Sequence, residues 1–185
     1  MKELSLNILD IAENSVKAKA TLTEIGITES GKNLTISVTD NGTGMTEETL
    51  RSVINPFYTT RTTRRVGLGI PLFKAAAEQT GGRIELVSRH VSEFPDTHGT
   101  IVTAHFDKDH IDCPPLGDVI STLVTLVQGH PDVDFLFTHK AESLDVSLDT
   151  REIRAVLETV PLDTFEVLIW IRDNLREQYG NVGNL

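Results

Sequence analysis

The chain has a single cysteine, Cys113, among its 185 residues, so it can form no internal disulfide bond. Cys113 lacks both a C-x-x-C partner and basic neighbours, which are the sequence features of zinc sites and of reactive thiolates. The absence of disulfides fits a reducing cytosol. A length of 185 residues allows one large domain, or one domain with a small appendage.

Long apolar runs are absent as well. A helix needs about 20 apolar residues to span a bilayer, and the longest run near the end of the chain extends only from Val167 to Ile171. The N-terminal residues include Glu3, Asp10 and Glu13 instead of the basic and then apolar residues of a signal peptide. We therefore expect a protein without a membrane segment, located in the cytoplasm.

Basic residues are too few for a nucleic-acid surface. The chain has 17 Lys and Arg against 27 Asp and Glu, a formal net charge of −10. Binding of nucleic-acid phosphates needs clustered Lys and Arg, so we expect no nucleic-acid partner. A hydrophobic content of 39% with 24% charged residues is ordinary for a globular protein.

Apolar periodicity outlines the secondary structure of the first part of the chain. A helix is predicted over 3–19, since Leu4, Ile8 and Ala12 fall on one arc and polar side chains on the other. The elements that follow are two alternating strands ending at Val38, an aperiodic loop over 55–67, a helix over about 71–79, and strands over about 83–90 and 99–106. This order predicts a two-layer α/β (α+β) sandwich, with helices on one face of a mixed, mainly antiparallel sheet.

The last third of the chain predicts a second unit. A polar, proline-terminated stretch over 108–115 indicates a linker after a main domain of residues 1–107. Residues 116–185 then predict a small α/β domain: a helix, a hairpin turning near Ala141, and two helices begun by capping boxes at Asp149 and Asp163. Nothing in their sequence indicates a role for this second unit.

Four sequence boxes occur in a fixed order within the first 70 residues. They read D-I-A-E-N-S-V-K over 10–17, V-T-D-N-G-T-G-M over 38–45, N-P-F-Y-T-T-R over 55–61, and V-G-L-G-I over 66–70. Together they resemble the N box, first glycine box, F box and second glycine box of the GHKL ATPases, which include gyrase, histidine kinases and the mismatch-repair ATPase. The resemblance covers roughly residues 3–107 and implies a Bergerat-type ATP-binding fold.

Asp40 is the predicted adenine-reading residue. It closes the apolar strand Leu34–Val38, and a carboxylate there can accept a hydrogen bond from the exocyclic amine of adenine. By resemblance, Gly42 and Gly44 let the backbone approach the base, Met45 packs on the ring, and Thr100 supports Asp40. The D-N-G segment alone would suit an ordinary turn equally well.

Asp10, Asn14 and Lys17 are the predicted residues of the N box. Their i, i+4, i+7 spacing places them on one helix face, which could also be a solvated surface. By resemblance, Asn14 ligates Mg²⁺ and Lys17 meets phosphate. Asp10 stands where hydrolysing members carry a Glu general base and histidine kinases tend to have Asn or His. It is one methylene shorter than Glu.

The second glycine box predicts a phosphate site. Gly67, Leu68 and Gly69 open a helix, whose N-terminus offers free N–H groups to phosphate. Arg65 replaces the first glycine of the histidine-kinase pattern, and Arg61 is a second phosphate candidate. Pro56 and Phe57 are predicted to anchor one end of this loop.

These resemblances imply an ATP- and Mg²⁺-dependent protein. A kinase-like regulator that acts on a partner protein, in a signalling role, is the favoured interpretation, with histidine or serine as the phosphoacceptor. A slow ATPase that works as a conformational switch is the first alternative, favoured by the carboxylate of Asp10. A nucleotide-binding module without chemistry is the second.

Overall fold

The computed structural model describes residues 3–54 and 68–180. In these residues the helices are α1 (Leu4–Lys17), α2 (Glu47–Ile54), α3 (Gly69–Gln79), α4 (Val119–Gly129), α5 (Thr150–Leu157) and α6 (Phe165–Gly180). The strands are β1 (Leu22–Ser30), β2 (Asn33–Asp40), β3 (Arg83–Arg89), β4 (Gly99–Asp107), β5 (Asp134–Ala141) and β6 (Leu144–Asp149).

The strands form one six-stranded sheet in the order β3-β4-β2-β1-β5-β6. Only the β1–β5 pairing is parallel, and the other pairings within this sheet are antiparallel. Along β1, Ile25 and Ile27 are buried while Glu24 and Thr28 are exposed, so one face of the sheet meets the helices and the other meets solvent. The predicted fold class is confirmed.

Helix α1 carries the apolar stripe that the sequence predicts, with Leu4, Ile8 and Ala12 fully buried against the sheet. Its first two amide groups donate to the carbonyls of Pro115 (2.9 Å) and Leu116 (2.8 Å). These contacts satisfy N–H groups that a helix start leaves without partners. The end of the predicted linker 108–115 is therefore attached to the beginning of α1.

Residues beyond the predicted linker extend the same sheet. Strand β5 runs parallel to β1, with Ile25 opposite Phe137. Phe135 and Phe137 are fully buried and belong to the same hydrophobic core as Leu4 and Ile25. Pairing with β5 gives β1 hydrogen-bond partners on its second side. The residues predicted to form a second domain thus share one sheet and one core with residues 3–107.

Two local predictions in the last third are confirmed, whereas α6 begins at Phe165, so that Thr164 and not the predicted Asp163 directly precedes it. Asp149 caps α5 as predicted, with its carboxylate accepting from the Arg151 amide. The hairpin turn lies at 142–143, which confirms the turn predicted near Ala141 and Glu142. Within the described residues, no helix combines the length and the apolar character that crossing a membrane requires.

Candidate functional site

Asp40, at the end of β2, is held by hydrogen bonds to both carboxylate oxygens. Oδ2 accepts from the Ser15 hydroxyl of α1 at 2.9 Å, and Oδ1 accepts from the Gly42 amide at 2.9 Å. Each carboxylate oxygen has two lone pairs, so Asp40 can still accept from a ligand amine. The two bonds fix the direction in which it would do so.

Ser15 is a site residue that the sequence reasoning missed. It lies on the buried stripe of α1, four residues after Ile11, and only 2% of it is exposed. A polar residue at an apolar position of an amphipathic helix was the available signal, because buried hydroxyls need hydrogen-bond partners. Asp40 supplies that partner.

The two glycines of the loop after Asp40 each allow a close approach of protein backbone. A Cβ on Gly42 would lie 2.8 Å from the Ala18 carbonyl oxygen. Gly44 has φ of +67°, and a Cβ there would lie 1.9 Å from the Arg89 carbonyl oxygen, well inside van der Waals contact. The tight packing of this loop on its own neighbours therefore requires both glycines, besides the ligand contact predicted for them.

The loop is also fixed by polar contacts at both ends. The Asn41 side-chain oxygen accepts from the amides of Thr21 (2.9 Å) and Leu22 (3.0 Å). The Thr43 amide donates to the Ala18 carbonyl at 2.8 Å, and His98 Nδ1 lies 2.5 Å from the Gly42 carbonyl oxygen. This surface beside Asp40 is thus preorganised by the protein itself.

Met45 and Thr100 are connected through Ser88, a residue that the sequence did not indicate. Thr100 is the β4 partner of Asp40 in the sheet register. Its hydroxyl lies 2.9 Å from Ser88 Oγ, which also accepts from the Met45 amide at 2.8 Å. Ser88 therefore connects the predicted ring-packing residue to the predicted support of Asp40.

The N box meets the second glycine box at the start of α3. A Cβ on Gly69 would lie 3.1 Å from Asp10 Cβ and 3.6 Å from Asn14 Nδ2. Glycine thus lets α3 begin directly against these two side chains. Asp10 and Lys17 are exposed and Asn14 is half-buried, so all three remain accessible on this face of α1.

The beginning of α3 presents backbone amides where the sequence predicts a phosphate site. Leu68, 66% exposed, stands at the N-cap position and makes no side-chain cap hydrogen bond. The Gly69 and Ile70 amides lie at this helix start beside Asp10 and Asn14, whereas Pro71 has no N–H. The other predicted residues of this region, Arg61, Gly67 and the anchor at 56–57, lie outside the described residues.

The donor set suits a magnesium ion that is held mainly by phosphate. In the described parts of the chain, no group of three or more His, Cys, Asp or Glu side chains could hold a metal ion by itself. Mg²⁺ often takes only one or two protein oxygens together with substrate phosphates and water. Asn14, whose side-chain amide lies beside the start of α3, fits that pattern as the residue that would supply one oxygen ligand.

A second polar cluster, away from Asp40, surrounds His139. His139 lies within β5 and is 3% exposed, with Nδ1 2.9 Å from the Tyr179 hydroxyl and Nε2 3.0 Å from Glu29 Oε1. Glu29 also accepts from Lys108 Nζ at 2.8 Å. The chain of contacts ties α6 to β1, and thus the last third of the chain to the first.

Burial dominates the electrostatics of this cluster. Desolvation lowers the pKa of His139, outweighing the Glu29 carboxylate, which acts in the opposite direction. Desolvation also raises the pKa of Tyr179 to about 12, with the charge of Glu29 adding to the effect. Both groups are therefore neutral at pH 7, as structural hydrogen-bond partners, while Lys108 lowers the pKa of Glu29.

Comparison with known proteins matches the first part of the chain to one family. Residues 2–110 fit the model of the Histidine kinase-, DNA gyrase B-, and HSP90-like ATPase. The sensor protein KdpD of Clostridium acetobutylicum is 30% identical over 94 residues, which is 48% of this chain and 10% of that protein. The sensor histidine kinase ZraS of Escherichia coli O157:H7 is 34% identical over 83 residues, 44% of this chain and 18% of that protein.

A solved structure shares the fold over a longer stretch. The Aquifex aeolicus MutL ATPase domain, complexed with ADP, has a TM-score of 0.56 at 17% identity and covers 86% of this chain and 70% of that one. This chain therefore spans a small fraction of the curated relatives, and the MutL likeness concerns the fold alone. Because the family model matches more than half of the 185 residues, the chain belongs to the histidine kinase-, DNA gyrase B- and HSP90-like ATPase family.

Proposed function

We propose that this protein binds Mg-ATP between α1, the loop after β2 and the start of α3. The observation that carries the proposal is the junction at Gly69, which brings the helix start of the second glycine box against Asp10 and Asn14. Asp40, at the end of β2, meets the same helix through the hydrogen bond from Ser15, the residue after Asn14. Family membership supports ATP as the ligand.

Each end of the nucleotide has a matching group on the protein. Asp40 accepts a hydrogen bond from the adenine amine, and the preorganised loop at Gly42 and Gly44 supports the base. At the phosphate end, Asn14 holds Mg²⁺, which neutralises phosphate charge, while Lys17 and the free amides of α3 bind phosphate oxygens. Arg61 and Gly67 complete the phosphate contacts in this proposal.

We further propose that the protein is a kinase-like regulator that transfers the γ-phosphoryl group to a partner protein in the cytoplasm. Phosphoryl transfer requires mainly positioning and charge neutralisation, which the residues above provide. The curated relatives support transfer, since they include proteins named as sensor histidine kinases. Asp10 is exposed and its Cβ faces Gly69, and its shorter side chain disfavours activation of water.

A slow ATPase is the second candidate, because Asp10 is a carboxylate beside the phosphate end. If Asp10 activates water, Asp10→Asn should reduce ATP hydrolysis by about 10²-fold or more without loss of ATP binding. In the kinase-like protein, hydrolysis by the wild type alone should already be near background. Steady phosphate release that disappears in Asp10→Asn would reject the kinase-like proposal in favour of the ATPase.

Binding itself is tested by calorimetric titration of Mg-ATP. Asp40→Asn should weaken ATP binding by roughly ten- to a hundredfold, because it leaves the adenine amine opposite a donor. Asp145→Asn, at an exposed carboxylate of β6, is the matched control and should bind as the wild type does. Equal ATP affinity of wild type and Asp40→Asn would reject the adenine assignment.

A further inference from the structure

An apolar groove of about 870 Å³ lies between α5, α6 and the β6 edge of the sheet. Its apolar lining consists of Leu136, Leu148, Ile153, Val156, Leu157, Val167 and Trp170. Val156 is 83% exposed and Trp170 is 53% exposed. Large apolar side chains gathered around one exposed concave surface are typical of an interaction site.

The rim of this groove is acidic. Glu152 of α5 and Glu166 of α6 both line it, and neither forms an ion pair with another residue that the structure describes. Asp149, by contrast, is paired with Arg151. Two uncompensated carboxylates beside an apolar floor favour a partner that brings Lys or Arg to the margins of an apolar face.

The strand edge beneath the groove is closed to an added β-strand. The Gln178 side chain accepts from the Ser147 amide at 2.9 Å and donates to the Ser147 carbonyl at 3.0 Å. The Gln178 side-chain nitrogen also donates to Asn174 Oδ1 at 2.7 Å. These bonds use the backbone groups in the middle of β6 that strand addition would require. A helix, which needs no backbone partners, does not compete with them.

A second copy of this chain is a poor occupant, because each copy carries a net charge of −10 and would bring further negative charge to an acidic rim. We propose that the groove docks an amphipathic helix of a partner protein. The helix presents apolar residues at i, i+3 or i+4, and i+7 to Val156 and Trp170, and Lys or Arg to Glu152 and Glu166. No residue of the groove belongs to the proposed ATP site, so the inference stands apart from it.

Trp170 is the only tryptophan of the chain, so its fluorescence reports occupation of the groove directly. The probe is a synthetic helical peptide of about five turns, with leucines on one face and lysines along both margins of that face. A matched peptide carries Glu in place of every Lys. The lysine peptide should shift Trp170 emission to shorter wavelength and bind at least about tenfold more tightly than the glutamate peptide, a preference that salt weakens.

Charge reversal on the rim makes the test specific. Glu152→Lys/Glu166→Lys should reverse the preference between the two peptides. Glu93→Lys/Glu142→Lys, at exposed glutamates outside the groove, has the same net charge and should keep the wild-type preference. All titrations are made without nucleotide and repeated in Asp40→Asn, so their outcome does not depend on ATP binding.

Several results would overturn the proposal. An unchanged Trp170 emission at saturating peptide, or equal affinities for the two peptides, would show that the groove does not select a basic amphipathic helix. An emission shift that grows with protein concentration in the absence of peptide would assign the groove to a second copy of this chain. If both double variants lost the preference for the lysine peptide equally, the preference would come from the net charge of the protein and not from the rim of the groove.

Discussion

The Ser15 hydroxyl donates a 2.9 Å hydrogen bond to Asp40 Oδ2 and so connects the N-box helix to the first glycine box. Ser15 is buried and Asp40 is partly open to the site. The accessible carboxylate of Asp40 is therefore oriented by a hydroxyl that is buried beneath it. In our proposal, adenine recognition depends on this pair, and its strength can be measured.

Ser15→Ala should weaken ATP binding by about three- to tenfold, the equivalent of one hydrogen bond of about 0.5–1.5 kcal/mol. The loss arises because Asp40 keeps its bond to the Gly42 amide but becomes free to turn. Calorimetric titration measures the effect. In the double variant Ser15→Ala/Asp40→Asn, affinity should fall no further than in Asp40→Asn alone, since Ser15 acts through Asp40. Additive losses would show that Ser15 supports the site by another route.

Asn14→Ala should remove the part of ATP affinity that depends on Mg²⁺ and leave adenosine binding unchanged. Adenosine has no phosphate that could bring a metal to the Asn14 amide. The measurement is a pair of titrations, adenosine and ATP, each with Mg²⁺ and with excess EDTA. If adenosine and Mg-ATP affinities fell together, Asn14 would be a structural residue and the metal assignment would be wrong.

Gly44→Ala should destabilise the protein by several kcal/mol, on the order of 2–4. The new Cβ would meet the Arg89 carbonyl at 1.9 Å in a backbone with φ of +67°. Gly31→Ala is the matched control, because Gly31 also has positive φ, +54°, but nothing within 4 Å of a Cβ. Gly31→Ala should lower the free energy of unfolding by only about 1 kcal/mol, because alanine is strained in the left-handed backbone conformation. Urea unfolding of both variants separates steric contact from backbone strain.

Acid should destabilise the folded protein through His139. Burial lowers the pKa of this imidazole below its ordinary value of 6.5, so the unfolded chain takes up a proton first. The stability that neutral His139 contributes is present above pH 6.5 and is lost as the pH falls through the lower folded pKa. Glu29 has a pKa below 4.5 and Tyr179 one of about 12, so neither titrates at the start of this window.

Urea unfolding at pH 7, 6 and 5 measures this effect. As the pH is lowered from 7 to 5, the free energy of unfolding should decrease less in His139→Gln than in the wild type. His110→Gln, at an exposed histidine, should keep the wild-type slope. If the unfolding free energy of all three proteins changed equally with pH, protonation of His139 would not contribute to the pH dependence of stability.

The sequence by itself determined the family and much of the local structure. Helix α1, the strands ending at Asp40 and the four boxes are short-range patterns: residue spacing alone places Asp10, Asn14 and Lys17 on one helix face. The order of the boxes sufficed to identify the family, to which residues 2–110 are matched.

The tertiary structure decided which residues meet across the chain. The pairing of β5 with β1, the bond from Ser15 to Asp40, the contact of Gly69 with Asp10 and the burial of His139 beside Glu29 all join residues far apart in sequence. No local period encodes such pairings. They follow from which backbone edges and buried polar groups still need partners once the sheet has formed. For the same reason, β5 and β6, which lie in the stretch predicted as a second unit, extend the sheet formed by the first part of the chain.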